Sequence, residues 1–240
     1  MIGTAINAVG ILAGAIAGRL REKPLSVTQE SFWKVTLGVF TVYYGLHLTW
    51  INLNGSMLQI FKQILIVILA LSLGRATGWL LRLQKMSNRL GQRAREGMTA
   101  ATTGAPISPS DGFKICAALF CAAPLGILGA VQDGLTGYFY PLIVKGIMDG
   151  LATLGLARLL GKSVALAALP VFVVQGSITL VCSEWIGPFL RNKGLDNAVS
   201  ATCGLLIFSV ALVILQLKKI SLADYLPSPV YAALITGIWR

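Results

Sequence analysis

The chain has 240 residues, 55% of them hydrophobic and only 12% charged, with a mean hydropathy of +0.76 and a formal net charge of +11. Soluble domains carry about 25% charged residues, so an ordinary globular protein is excluded, and the apolar runs recur at membrane-spanning length. The basic residues fall between those runs without an interleaved aromatic stripe, so the positive-inside rule accounts for them and no nucleic-acid partner is expected.

The first apolar run, about Ile2–Gly18, begins at once and has no basic n-region, so it is expected to be a retained span and not a cleaved signal. Gly3, Gly10, Gly14 and Gly18 fall on one helical face with Asn7. That small-residue stripe lets another helix approach closely, and Asn7 then faces a neighbour and not lipid. Either the stripe serves packing alone, within the chain or in a homo-oligomer, or Asn7 lines a site. Residues 19–34 read as a basic loop broken at Pro24.

The second span is expected at about Val35–Trp50. It holds the sole histidine, His47, among Tyr43, Tyr44 and Trp50, a composition of the membrane interface. With no second histidine to share a metal, His47 reads as an interfacial residue. The third span is expected at about Leu58–Leu81. Residues 82–114 form the one long polar segment. Its basic first half reads as a juxtamembrane amphipathic or frayed helix, able to hold anionic lipid but read first as a topology determinant. Its second half, rich in Ala, Thr, Ser, Pro and Gly, reads as a flexible linker.

The division is therefore a three-span part over 1–84, a basic cytoplasmic segment and linker over 85–112, and a four- to five-span part over 113–240, forming one membrane domain. Spans four to seven are expected at about Phe113–Val131, Pro141–Leu159, Val164–Ile186 and Ala198–Leu217. A last run, Pro229–Trp239, either spans or lies re-entrant. The fold class is all-α, a polytopic transmembrane helical bundle of about seven to eight spans with room for broken or re-entrant helices.

With loop 19–34 placed inside and the spans alternating, only Lys62, Arg191, Lys193 and Arg240 fall outside and Lys145 falls within a span. All other lysines and arginines lie inside. Eight spans place both termini outside. No internal repeat aligns between the two halves.

The polar groups concentrate late in the chain. Lys145 and Asp149 are i, i+4 and share a helical face. With Pro141 as the outer start of its span, Lys145 lies ~6 Å deep and Asp149 ~12 Å deep at a rise of ~1.5 Å per residue. A lysine at that depth can snorkel outward, whereas a central aspartate is penalised by ~2.5–3.5 kcal/mol and must face protein, water or a partner charge. Gly146 and Gly150 flank the pair and permit close backbone approach. The segment Gln132-Asp133-Gly134-Leu135-Thr136-Gly137 reads either as a plain turn or as an unwound segment facing a cavity. In span six, Pro170 frees the carbonyl of Leu166, and Gln175, Ser177 and Thr179 follow. The candidate site is thus Asn7, Gln132, Asp133, Lys145, Asp149, Gln175 and Ser177. It would take a small ion or polar solute, with Asp149 as the coupling carboxylate and Lys145 as counter-charge. In the alternative reading these groups only lock helices together, and a dry, buried Lys145–Asp149 pair would favour that alternative over a water-accessible one.

No cofactor is expected and no metal is assigned. The four cysteines lie in apolar runs without paired spacing and read as small buried hydrophobes. Enzyme signatures such as G-x-S-x-G and H-E-x-x-H are missing, and the P-loop-like stretch Gly155–Ser163 has the wrong spacing, so no enzyme is expected.

Several motifs together resemble a known family. They are Gly3-Thr4 with Asn7, Gly14 and Gly18; Gln132 to Gly137; Lys145 with Asp149-Gly150; Leu169-Pro170 followed by Gln175 to Leu180; and Lys218-Lys219-Ile220 with Leu226-Pro227. The chain is similar over nearly its full length to the YqgA/YdfK-like bacterial integral membrane proteins, a domain of unknown function. It departs from the family at Ala13, where one of a glycine pair is usual, and at Cys203. The resemblance implies a multi-pass protein of the bacterial inner membrane in contact with the lipid bilayer. It implies no substrate and lends no catalytic residues.

Overall fold

In a computed structural model, residues 1–21, 24–102 and 109–239 are described, and every regular element among them is helical. Part of the expected linker, 103–108, and Lys23 and Arg240 lie outside the described residues. The helices are α1 Ile2–Leu20, α2 Val27–Ile51, α3 Met57–Leu80, α4 Leu83–Thr102, α5 Pro109–Cys121, α6 Pro124–Thr136, α7 Tyr140–Leu160, α8 Ala168–Val181, α9 Gly187–Asn192, α10 Asp196–Ile214 and α11 Ser228–Ile238.

The chain is a polytopic membrane bundle. Helices α1, α3, α10 and the continuous run Lys162–Asn192 are long and apolar enough to cross a bilayer, and α5 with α6 adds a fifth crossing if that bent pair is one span. Helices α2 and α7 also reach spanning length, at 25 and 21 residues, but carry more polar side chains. Large apolar side chains such as Leu58, Phe61 and Leu169 lie exposed on the outer faces, as lipid contact requires.

Local chemistry moved several boundaries. Helix α2 starts two turns before the expected Val35, because Ser26 and Gln29 form a capping box: Gln29 N–H donates to Ser26 Oγ at 3.2 Å and Ser26 N–H to Gln29 Oε1 at 3.1 Å. The expected fourth span, Phe113–Val131, is two helices that meet at 60°. Pro124 opens α6, and the residue before a proline disfavours helix, so the break falls at Ala122-Ala123. Gln132 to Thr136 are therefore helical, neither a plain turn nor an unwound segment. The helix ends at Gly137, whose φ of 72° is the left-handed cap that a glycine adopts without strain.

Pro170 is not a mid-span kink. Residues Lys162–Ala167 form a 3-10 turn, and Pro170 sits in the first turn of α8, where its missing N–H has no intrahelical partner to lose. The irregularity lies further on. Pro188 cannot donate to Glu184, and Cys182–Ile186 is a π turn in which Gly187 N–H reaches Cys182 O.

Each of the first three helices has its main partner in the C-terminal half: α1 packs on α7, α2 on α10 and α3 on α11. The α1–α7 pair is parallel, Gly10 meeting Gly146 and Gly14 meeting Gly150, so that a Cβ on either α1 glycine would enter the facing carbonyl. The glycine stripe is thus consumed inside the chain and is not left for a homo-oligomer. Helix α11 has 11 residues and runs back along α3, from Ser228 beside Gly74 to the Trp239 carbonyl that accepts from Lys62. Helix α4 is anchored at its start, with Gln84 N–H donating to Asp224 Oδ1 at 2.9 Å and Ala223 N–H to Gln84 Oε1 at 3.1 Å.

Candidate polar site between α1, α7 and α8

The i, i+4 spacing on α7 does what it predicts: the Lys145 ammonium donates to the Asp149 carboxylate. Lys145 does not snorkel. It is 3% exposed and Asp149 5%, and the ammonium lies 5.5 Å from the centre of the Phe120 ring. The carboxylate one turn deeper and the ring face hold the cation more closely than the interface could. Thr153 donates to the Asp149 backbone carbonyl at 2.6 Å.

Asn7 and Gln175 close the site from α1 and α8. Asn7 Nδ2 donates to Gln175 Oε1 at 3.0 Å, and the Asn7 side chain also faces the Asp149 carboxylate. This is possible because Gly146 and Gly150 bring α1 against the α7 backbone; a Cβ on Gly146 would stand 3.1 Å from Asn7 Cα. Gly126 of α6 gives the remaining room, since its missing Cβ would lie 2.8 Å from Gln175 Nε2. Two polar atoms stay without a hydrogen-bond partner here, the Asn7 Oδ1 acceptor and the Gln175 Nε2 donor, although both side chains are buried.

Three of the expected site residues lie elsewhere. Asp133, on α6, accepts from the Gly3 N–H at 3.2 Å and pairs with the Met1 ammonium at 3.2 Å, so it caps the N-terminus of α1 instead of lining a mouth. Gln132, one residue earlier and a quarter-turn round, faces the Cys203 thiol on α10, and its Nε2 makes no hydrogen bond. Ser177 is exposed on the lipid side of α8 and donates to Val173 O at 2.7 Å. Two residues from Gln175 on a helix, it points the opposite way.

The structure adds residues not assigned to the site from sequence. Thr4 and Thr179 share a hydrogen bond at 3.3 Å directly above the Asn7–Gln175 contact, and Thr179 donates to the Ala130 carbonyl at 3.1 Å. Their spacing carried the signal, Thr4 with Asn7 at i, i+3 and Gln175 with Thr179 at i, i+4. Phe120 lies on another helix and had no such signal. The cavities lined by Arg75, Trp33, Phe61, Trp79 and Leu159 all exclude Lys145 and Asp149. Both side chains of the charge pair are buried. Among the described residues no cluster of His, Cys, Asp and Glu could hold a metal ion.

Residues 2–237 match the family described as protein of unknown function (DUF554). The chain belongs to this family. It is 30% identical to the "Uncharacterized membrane protein YdfK" of Bacillus subtilis (strain 168) over 228 residues, covering 95% of this chain and 92% of the relative. It is 27% identical to the "Uncharacterized protein YqgA" of Escherichia coli (strain K12) over 243 residues, covering 100% of this chain and 97% of the relative. No solved structure matches the chain. The match to DUF554 is thus near full length, as the motif pattern implied, and the membrane class agrees with the name of the Bacillus relative.

Proposed function

We propose that the chain is a non-enzymatic carrier of a small ion or polar solute in the bacterial inner membrane. In this reading the structure is its occluded form, and Asn7, Lys145, Asp149 and Gln175 are the binding element. One observation carries it: the unpaired Asn7 Oδ1 and Gln175 Nε2 beside a buried ion pair. A half-satisfied polar network is less stable than an apolar core, so a helix lock alone gives no reason to keep it. An unpaired acceptor and an unpaired donor, on two side chains in contact beside a buried ion pair, suit a small polar ligand with groups of both kinds.

The burial of the Lys145–Asp149 pair favours the second reading, a structural or regulatory membrane subunit in which these groups only hold α1, α7 and α8 together. Reconstitution separates the two. Proteoliposomes carrying the unmutated chain are screened for uptake against a panel of ions and small metabolites, then compared with Asp149→Asn. The carrier reading expects a flux that the variant loses by at least tenfold. Full retention of every flux, or none with the unmutated chain, rejects it and leaves the lock.

A further inference from the structure

A cavity of about 620 Å³ opens at the basic end of α3, walled by α3, α10 and residues 218–222. Three cations line it, Arg75, Lys218 and Lys219, together with Ser72, Ser209 and Ser221. No carboxylate lines it. The nearest acid along the chain, Asp224, turns away to accept from Gln84 N–H. Arg75 is held over the Tyr225 ring, 5.8 Å from its centre. The lysines are brought in by a built turn: Gln216 takes a left-handed φ of 59° at the end of α10, and the N–H groups of Leu217 and Lys218 donate to Leu212 O at 2.9 and 3.3 Å.

A second, mostly apolar cavity of about 600 Å³ adjoins it at Ile68, lined also by Leu58, Phe61, Ile64 and Leu65 and reaching Lys62 and Trp239 at its far end. Ile68 is the mid-point of α3, so the basic pocket and the wall between Arg75 and Ile68 occupy one half of the helix. At ~1.5 Å per residue that wall is ~10 Å long, within the ~15 Å of hydrocarbon in one leaflet. A cluster of cations at interface depth, beside a lipid-facing apolar groove, has the polarity of a single anionic amphiphile.

We propose that this cavity holds the phosphate headgroup of an anionic phospholipid, with an acyl chain running along α3 past Ile68. The occupant is a lipid because charge complementarity and the groove point to the same molecule; a free phosphate would leave the groove unused. The site is independent of the polar centre on α7.

The test is native mass spectrometry of the purified full chain in detergent, titrated with phosphatidylglycerol or phosphatidylcholine. Phosphatidylglycerol adducts are expected at clearly lower lipid concentration. Each removed cation lowers that affinity about fivefold, so Arg75→Gln/Lys218→Gln/Lys219→Gln should lower it by well over tenfold. Lys193→Gln, exposed after α9 and outside the cavity, should leave it unchanged. If the triple variant does not fold, Lys218→Gln/Lys219→Gln alone, both exposed in the turn after α10, should still lower it at least tenfold. Equal binding of phosphatidylcholine, or full adduct formation by the lysine variants, overturns the proposal. Displacement of the adduct by inorganic phosphate at matching concentration overturns the lipid in favour of a soluble anion.

Discussion

Asp149 is held by one cation, and that makes the Lys145–Asp149 pair asymmetric to mutation. Lys145→Met leaves a carboxylate buried without its partner, which costs about 3–5 kcal/mol. The double variant Lys145→Met/Asp149→Leu removes both charges and should be less destabilised than Lys145→Met alone; unfolding of the purified chain in detergent reads the difference. Ser177→Ala should change stability by no more than ~0.5 kcal/mol, because its hydroxyl faces lipid and bonds only its own helix. The pair itself was legible in the sequence, since i, i+4 on a helix brings Lys145 and Asp149 together whatever surrounds them. The direction of Lys145 was not: snorkelling was allowed by depth, and only Phe120 and the burial of the pair decided against it.

The helix contacts decide which glycines matter. Gly10 and Gly14 touch the carbonyls of Gly146 and Gly150, whereas Gly155 on α7 has open space where a Cβ would go. Gly10→Val should therefore force α1 from α7 and destabilise by ~1–3 kcal/mol or more, as overpacking does. Gly155→Ala should stabilise by up to ~0.5–1 kcal/mol and so raise the unfolding midpoint, since alanine is the better helix former. A thermal melt of each purified variant checks both signs, and a Gly10→Val protein as stable as the unmutated chain would falsify the backbone contact. The stripe was readable from spacing; its partner was not, because α7 lies more than 120 residues away in the chain. The break before Pro124 was readable too, from Ala-Ala-Pro, but the apolar run across it outweighed the proline.

For the whole molecule, the packing directions agree with a chain that alternates across the membrane. Helix α1 runs parallel to α7 and antiparallel to α8, Asn7 and Thr4 meeting Gln175 and Thr179 in reverse order. Helix α2 runs antiparallel to α10, with Gly38 on Leu215 and Thr49 on Ala201. Residues 52–56 and the end of α11 therefore share one side, and Gly161–Lys162 lies on the other. In a chain with its four native cysteines replaced by alanine, Asn54→Cys and Trp239→Cys should label from one side of sealed vesicles and Lys162→Cys only from the other. Labelling of Trp239→Cys together with Lys162→Cys would mean that α11 does not return along α3.

The sequence by itself determined the membrane class, the resemblance to the YqgA/YdfK-like family, the glycine face of α1 and the Lys145–Asp149 pair. The resemblance rests on motifs spread along the chain, and the other three follow from composition or from periodicity within one helix. Only the tertiary structure decided which polar residues meet. Neighbours on one helix, Gln132 and Asp133, went to α10 and α1, while Asn7 and Gln175, 168 residues apart, closed over one carboxylate. Local spacing fixes a side chain's angle about its own axis. It says nothing of which helix stands at that angle, and in a bundle that choice is made by the fit of backbones at glycine contacts such as those between α1 and α7.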